Sequence, residues 1–221
     1  MAELAAVLWD MDGTLVDTEP AWMETETELV ESYGGTWTRE DALNLVGNDL
    51  LVSGRYIREN AGVPLEPAEI VERLLEGVIA RVREAVPWRP GAVELLAALR
   101  AEGVPCGLVT MSYRSFAAPV IAGLPHGTFD VVVTGDMVSQ GKPHPEPYLT
   151  AAAMLGVDPA NALAIEDSNT GATSAEAAGL AVLAVPNHVP VLEGPRRSFT
   201  ETLEGITPAD LSRIHRDVTS A

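Results

Sequence analysis

Short apolar runs alternate along the chain with longer segments in which apolar residues recur every three or four positions. Five runs are short enough to be buried strands, at residues 5–9, 104–110, 131–134, 162–165 and 181–185. The clearest helical patterns between them cover residues 91–102, 148–155 and 168–178, and each ends before or beside a glycine. Apolar strands that alternate with helices are typical of a parallel sheet covered on both faces. The pattern therefore predicts an α/β fold.

One stretch departs from this alternation, because residues 18–87 contain helical patterns but no convincing strand. The predicted helices there cover residues 21–33, 40–46, 50–60 and 67–86. This predicts a helical insert directly after the first strand. The remaining residues, 1–17 and 88–221, would form the α/β core. Within that core, residues 187–198 are interpreted as a surface connection before the C-terminal segment.

Composition narrows the classes of partner. The 221 residues carry 14 basic and 32 acidic side chains, a formal net charge of −18. Such a surface disfavours nucleic acid and anionic membranes as partners, and solubility is its simplest explanation. A phosphate ester could bind only where a cation and a basic side chain reverse the local field.

The cellular compartment is predicted from the absence of disulfide, membrane-span and signal-peptide patterns in the sequence. The single cysteine, Cys106, excludes an internal disulfide and lies in an apolar run. No apolar stretch approaches the roughly 20 residues of a membrane span. No basic segment precedes the first apolar run, so a signal peptide is not expected. We therefore expect a cytoplasmic protein.

Acidic residues follow two of the predicted strands. Asp10 and Asp12 come after the first strand, and Glu166 and Asp167 come after the fourth. Ligands of open parallel sheets bind at the carboxyl ends of the strands. Like charges crowded there require a cation, and Mg²⁺ prefers carboxylates, whereas no Cys or His grouping indicates zinc. An acidic turn and a helix cap are the structural alternatives for the two pairs.

Three further polar residues follow other strands. Thr110 and Ser112 could donate hydroxyl hydrogen bonds to phosphoryl oxygens, and Lys142 could neutralise a carboxylate and a phosphate. The alternatives are a β-branched strand residue and a solvated loop lysine. Prolines at positions 143 and 145 stiffen the loop that carries Lys142. The four histidines are scattered, so Ser-His-Asp chemistry has no support.

These residues occur in the order of the four motifs of the haloacid dehalogenase-like hydrolases. The matching segments are residues 10–19, Thr110, Lys142 and residues 166–167. The chain resembles the subfamily of β-phosphoglucomutases and sugar-phosphate phosphatases. The resemblance implies a Rossmann-like parallel sheet core with an inserted α-helical cap, which would be residues 18–87.

The same resemblance implies a role for each matching residue. Asp10 would be the nucleophile that forms an aspartyl-phosphate, and Asp12 the general acid and base. The implied phosphate-binding residues are Thr110 and Lys142, and the neighbouring Ser112 hydroxyl is added to them from its position alone. The implied Mg²⁺ ligands are Asp10, the backbone carbonyl of Asp12, and Asp167 aided by Glu166. Asp17 is interpreted as a structural brace of the loop that enters the cap.

Substrate choice is expected to depend on the cap. Gly47 and Asn48 match the position of the family's specificity loop, with a helix end followed by a turn as the equal alternative. Trp22 stands where β-phosphoglucomutases have a histidine, and residues 18–22 resemble hexitol and deoxyglucose phosphate phosphatases. This favours hydrolysis over mutase activity.

The predicted function is a Mg²⁺-dependent phosphatase acting on a small phosphate monoester of a sugar or polyol. A hexose-phosphate mutase is the main alternative, and a non-enzymatic receiver-like signalling domain is a weaker one. The expected partner is a small phosphorylated metabolite, with no nucleic acid and no membrane. We expect a monomer or a small homo-oligomer.

Overall fold

The computed structural model describes residues 4–45 and 49–220. The chain divides into two compact units, Met1–Asp17 with Trp88–Ala221, and Thr18–Pro87. The described residues of the first unit contain the whole sheet, whereas those of the second are helical. The second unit thus interrupts the first directly after its first strand.

The sheet of the first unit is parallel throughout and has the strand order β3-β2-β1-β4-β5-β6 among the residues described. This arrangement confirms the predicted α/β fold. Strands β1, β2, β4 and β5 are buried along their whole length, as their continuous apolar sequences require. The strand bounds are β1 Ala6–Trp9, β2 Cys106–Val109, β3 Val131–Val133, β4 Ala162–Glu166, β5 Ala181–Ala184 and β6 Arg197–Phe199.

Helices cover both faces of this sheet. Helices α7 and α8 contact each other and pack on the face that carries Ala6 and Leu8 of β1. Helices α5 and α9 contact each other and cover the opposite face. The helix bounds are α5 Ala92–Ala101, α6 Arg114–Ala122, α7 Glu146–Leu155, α8 Asn169–Ala177 and α9 Pro208–Thr219, with the elements of the other unit numbered α1 to α4.

Three elements of the first unit differ from the sequence interpretation, which assigned no helix to the C-terminal segment that contains α9. Residues 187–198 were expected to connect without regular structure, but Arg197 and Ser198 belong to β6, a short strand at the sheet edge. This edge strand contains polar residues and no apolar run, so the hydrophobic pattern of the sequence does not predict it. Helix α6 is also absent from the prediction, because Pro119 lies inside it and interrupts the helical pattern.

The chain reverses its direction of progress across the sheet at β1. From β1 it builds β2 and β3 on one side, and it then returns to place β4 on the other side. Crevices for ligands in open α/β sheets form at such a switch point, outside the carboxyl ends of the strands. Asp10 follows β1 there, and its backbone N–H donates to the carbonyl of Ile165 on β4 at 3.1 Å.

The second unit contains four helices within its described residues: α1 Glu19–Ser32, α2 Arg39–Leu43, α3 Leu50–Ala61 and α4 Pro67–Glu84. Leu29, Ile57 and Leu74 belong to its buried core, against which Trp22 and Trp37 pack. A capping box of Thr38 and Asp41 begins α2. Gly47 and Asn48, with the last residue predicted for the second helix, Val46, lie outside the described residues. Across those parts of the chain, no helix is long and apolar enough to cross a membrane.

One acidic side chain lies inside this second unit. Glu26 of α1 is only 5% exposed, and its Oε2 accepts a hydrogen bond from Trp37 Nε1 at 3.1 Å. Burial raises the pKa of Glu26 to about 8, although the Trp37 hydrogen bond lowers it; the charge of Glu19 adds to the rise. The folded protein therefore holds a proton that the unfolded chain releases above its ordinary pKa of about 4.5.

This buried acid predicts a pH dependence of stability. The contribution of protonated Glu26 is complete below pH 4.5 and is lost as the pH rises towards 8. Glu26→Gln should lack this pH dependence. Between pH 4.5 and 8, the free energy of unfolding of wild type should therefore fall relative to that of the variant by about 1.4 kcal/mol per pH unit. Denaturant titrations at several pH values measure it. Glu31→Gln, an exposed carboxylate on the same helix, is the control, and parallel curves for wild type and Glu26→Gln would contradict the prediction.

Candidate active site

Polar residues from three adjacent strands meet at the switch point. Asp10 follows β1, Thr110 follows β2, and Glu166 ends β4 with Asp167 directly after it. The register aligns Trp9 of β1 with Leu108 and with Ile165, so these strand ends lie at one level. The parallel sheet thus places the predicted residues of three motifs at one edge.

Lys142 joins these strand ends from the loop before α7. Its ammonium donates to Asp10 Oδ1 at 2.6 Å, to Glu166 Oε1 at 2.6 Å and to the carbonyl of Val109 at 2.9 Å. The side chain is only 4% exposed. Burial by itself lowers the pKa of Lys142, but Asp10 and Glu166 outweigh burial and raise it above its ordinary value. Lys142 is therefore a permanent cation, and the solvated-loop alternative is wrong.

Glu166 lies at the buried end of the site. Its side chain is fully buried, and Oε1 accepts hydrogen bonds from Lys142 and from Tyr148 Oη, the latter at 2.5 Å. Burial raises the pKa of Glu166 and outweighs the Lys142 ammonium, which lowers it. Burial, with the neighbouring charge of Glu166, also raises the pKa of Tyr148. The phenol therefore keeps its proton and acts as the donor.

Negative charge exceeds positive charge in this cluster. Asp10, Glu166 and Asp167 each place one oxygen so that the three atoms lie within 4.8 Å of one another. Burial, followed by the charges of Asp10 and Glu166, raises the pKa of Asp167 well above its ordinary value. Three carboxylates share the single Lys142 ammonium, so a divalent cation fits this donor set in charge and in ligand chemistry.

The carboxylate of Asp12 is oriented by two hydroxyl groups. Ser112 Oγ donates to Asp12 Oδ2 at 2.7 Å, and Thr110 Oγ1 donates to the same oxygen at 3.2 Å. The backbone N–H of Ser112 in turn donates to Thr110 Oγ1 at 2.9 Å. The Oδ2 atom of Asp12 thus faces the end of β2. Among the described residues, the cluster of carboxylates close enough to share a metal ion consists of Asp10, Glu166 and Asp167.

Two glycines permit this crowding. A Cβ atom on Gly13 would overlap the Asp167 carboxylate, and the backbone there has a φ of +86°. A Cβ atom on Gly171, near the beginning of α8, would overlap both oxygens of Glu166. The close approach of carboxylates to backbone therefore requires glycine at both positions.

Asp17, the last residue before the inserted unit, is tied to the loop after β5. Its Oδ1 accepts from Asn187 Nδ2 at 3.2 Å and lies 2.8 Å from His188 Nε2. Asn187 Oδ1 also accepts from Arg89 Nη1 at 2.7 Å. Asn187 therefore connects the two chain segments that flank the insert, which agrees with the interpretation of Asp17 as a brace.

Comparison with known proteins agrees with this geometry. Residues 4–179 match the haloacid dehalogenase-like hydrolases. The chain belongs to this family.

It is 33% identical to hexitol phosphatase B of Escherichia coli over 188 residues, covering 83% of this chain and 84% of that protein. It is 32% identical to a phosphorylated carbohydrates phosphatase of Thermotoga maritima, covering 80% and 82%. A crystal structure of CbbY from Rhodobacter sphaeroides in complex with phosphate superposes with a TM-score of 0.84 at 27% identity, covering 94% and 99%.

The structure of this hydrolase brings together Asp10, Asp12, Thr110, Ser112, Lys142, Glu166 and Asp167, which are the site residues proposed from the sequence outside positions 47 and 48. Sequence reasoning did not single out Tyr148 as a site residue. It placed Tyr148 at the beginning of a helix, where its apolar neighbours suggest packing. Its position six residues after Lys142 was the one sequence feature that could have indicated the contact. The intervening loop and the first turn of α7 bring the Tyr148 ring back beside the Lys142 side chain.

The overlap at Gly171 yields a test of how tightly Glu166 must be held. Helix propensity alone favours Gly171→Ala by about 1 kcal/mol. We expect the opposite, a loss of stability with a fall in hydrolytic activity of about 100-fold, because Glu166 must move. Thermal unfolding and steady-state rates measure the two effects. Ala177→Gly, exposed in the last turn of the same helix, should cost at most about 1 kcal/mol with full activity. A stabilised and fully active Gly171→Ala protein would show that Glu166 has room to move.

Proposed function

We propose that the protein is a Mg²⁺-dependent phosphatase that hydrolyses a small sugar or polyol phosphate through an aspartyl-phosphate on Asp10. The observation that carries this proposal is the pairing of Asp10 with a buried ammonium beside a second, separately oriented carboxylate on Asp12. One carboxylate is thereby available as nucleophile and the other as acid and base. These are the two roles that hydrolysis of an unactivated ester requires.

Asp10, Asp167 and Glu166 would hold the cation, together with the backbone carbonyl of Asp12. A bound Mg²⁺ would supply positive charge that offsets the excess carboxylate charge and that of the phosphoryl oxygens, so that an anionic ester could approach an anionic nucleophile. The rest of the chemistry belongs to the side chains of the chain itself. Lys142 contributes a fixed positive charge at Asp10. The hydroxyls of Thr110 and Ser112, which donate to Asp12 Oδ2 in this structure, would rotate to donate to phosphoryl oxygens when an ester is bound.

In the first step an Asp10 carboxylate oxygen attacks phosphorus. The bond between phosphorus and the ester oxygen breaks, and its electron pair leaves with that oxygen. Protonated Asp12 transfers its proton to the leaving oxygen, so the product departs as a neutral alcohol. An alkoxide is a poor leaving group, which is why a sugar or polyol ester needs this acid.

In the second step Asp12, now ionised, removes a proton from water while the water oxygen attacks phosphorus. The bond between phosphorus and Asp10 breaks, and its electron pair returns to the Asp10 carboxylate. Inorganic phosphate leaves, and Asp12 is again protonated. The two steps consume one water and restore both carboxyl groups to their initial state.

The choice of substrate rests on the relatives and on the inserted unit. Hexitol phosphatase B and the phosphorylated carbohydrates phosphatase are both named for phosphorylated sugar-type substrates. Trp22 packs against the core of the inserted unit, in the position where the resembling mutases have a histidine. This favours hydrolysis over transfer of the phosphoryl group between positions of a hexose.

A phosphate-release screen tests the proposal. We expect the protein to release phosphate from hexitol, hexose or pentose monophosphates with Mg²⁺ and not with excess EDTA. Asp10→Asn keeps the shape of the side chain but removes the attacking oxygen, so turnover should fall by about 10⁴-fold or more. Asp217→Asn, which is exposed on α9, serves as the matched control.

Other outcomes of this screen would identify the alternatives. Isomerisation of a hexose phosphate with little phosphate release, stimulated by a sugar bisphosphate, would indicate the mutase. A long-lived phosphoprotein that turns over no ester would indicate a receiver-like domain. Turnover that survives in Asp10→Asn would contradict the nucleophilic role itself.

The proposed double role of Asp12 predicts a dependence on the leaving group. In Asp12→Asn, hydrolysis of an alkyl phosphate should slow by about 10²–10⁴-fold because its leaving oxygen needs a proton. p-Nitrophenyl phosphate has a leaving group that needs none, so phosphorylation of Asp10 should continue while attack by water stalls. Rapid-mixing absorbance should then show a burst of about one nitrophenolate per chain followed by a slow rate. Equal losses for both ester classes, without a burst, would be inconsistent with Asp12 as acid and base.

A further inference from the structure

Tyr148 lies on α7, six residues after Lys142, and its side chain is fully buried. Its hydroxyl donates to Glu166 Oε1 at 2.5 Å, the oxygen that also accepts from Lys142. The other oxygen, Oε2, receives a longer contact of 3.3 Å from Ser168 Oγ. The two oxygens of Glu166 are therefore unequal: the protein's strong donors occupy Oε1.

The ring of Tyr148 makes a second contact with the same cluster. The Lys142 ammonium lies 5.1 Å from the ring centroid, within the range of a cation–π attraction. One side chain thus contacts both partners of the buried ion pair, Lys142 through the ring and Glu166 through the hydroxyl. A phenylalanine would preserve the first contact and remove only the second.

This geometry has a consequence for the cation. Two short hydrogen bonds at Oε1 restrict the rotation of the carboxylate. Oε2, which receives the longer hydrogen bond from Ser168 Oγ, keeps acceptor capacity for a cation or its water. Without the phenol, Lys142 would hold Oε1 alone, and the carboxylate would rotate more freely. Partners that orient metal-binding groups in this way typically change metal affinity or activity 10–100-fold when they are replaced.

We propose that Tyr148 is a positioning residue that orients Glu166 for the divalent cation through its hydroxyl and supports Lys142 through its ring. This inference rests on the proposed magnesium-assisted function. It adds to that function a residue outside the motifs that the family resemblance supplied, and it separates two effects that different substitutions can remove one at a time.

Direct measurement of Mg²⁺ binding tests the inference without requiring any ester. Wild type and Tyr148→Phe, both freed of metal with EDTA, are titrated with MgCl₂ in a calorimeter. We expect the dissociation constant for Mg²⁺ to rise about tenfold in Tyr148→Phe. With an active ester, KM at saturating Mg²⁺ should change less than about twofold, since substrate contacts are not removed. Tyr148→Leu, which also lacks the ring, should lower kcat further because Lys142 loses a contact.

A matched control and a double variant separate positioning from simple packing. Tyr56→Phe in the inserted unit also removes a tyrosine hydroxyl that donates to a carboxylate, that of Asp41, and should leave Mg²⁺ binding unchanged. In a Glu166→Gln background, Tyr148→Phe should have little further effect on the Mg²⁺ dissociation constant. Lower thermal stability of Tyr148→Phe with an unchanged Mg²⁺ dissociation constant would overturn the inference, as would wild-type protein that binds no Mg²⁺.

A measurement on wild-type sequence covers the case in which Tyr148→Phe does not fold. The chain has four tyrosines, which can be labelled with 3-fluorotyrosine and assigned by elimination from Phe variants of the other three. The ¹⁹F resonance of Tyr148 should shift during titration with MgCl₂. No shift of this resonance on Mg²⁺ binding would overturn the inference. Because no ester is present, loss of the phosphatase proposal in the release screen and loss of this inference are separate results.

Discussion

The site depends on one buried ammonium that holds two carboxylates from neighbouring strand ends. Lys142 uses its three N–H donors on Asp10, Glu166 and the carbonyl of Val109. Removing a charged partner from such a buried pair typically costs 3–5 kcal/mol, because the remaining charge is left uncompensated. A single side chain thereby holds together Asp10 after β1, Glu166 at the end of β4 and the end of β2.

That ammonium does not balance the charge it collects. Burial, followed by the nearby charges of Asp10 and Glu166, raises the pKa of Asp167, so the fold disfavours a third ionised carboxylate at the switch point of the sheet. The proposed divalent cation would offset this excess negative charge, so that a phosphoryl group could approach the site. With that cation bound, the excess acidity of the whole chain would be compatible with an anionic substrate.

The backbone around the site is adapted to this crowding. Gly13 and Gly171 lack the Cβ atoms that would overlap the Asp167 and Glu166 carboxylates, and the hydroxyls of Thr110 and Ser112 hold Asp12 Oδ2 at the end of β2. The two carboxylates to which the proposed mechanism gives different roles therefore have different surroundings. Asp10 faces a permanent cation, whereas Asp12 faces neutral hydroxyl donors.

The sequence by itself determined the strands, the helical insert and most of the site. Buried strands are predicted by apolar runs in the sequence. Residues that follow parallel strands lie at the same edge of the sheet, so the sequence alone places Asp10, Thr110 and Glu166 together. The polar edge strand β6 and helix α6 left no such pattern. Only the tertiary structure decided that Lys142 is buried and saturated, that Ser112 donates to Asp12, and that Tyr148 joins the cluster. These contacts depend on how a loop and a helix return over the sheet, a three-dimensional constraint that spacing along the chain does not encode.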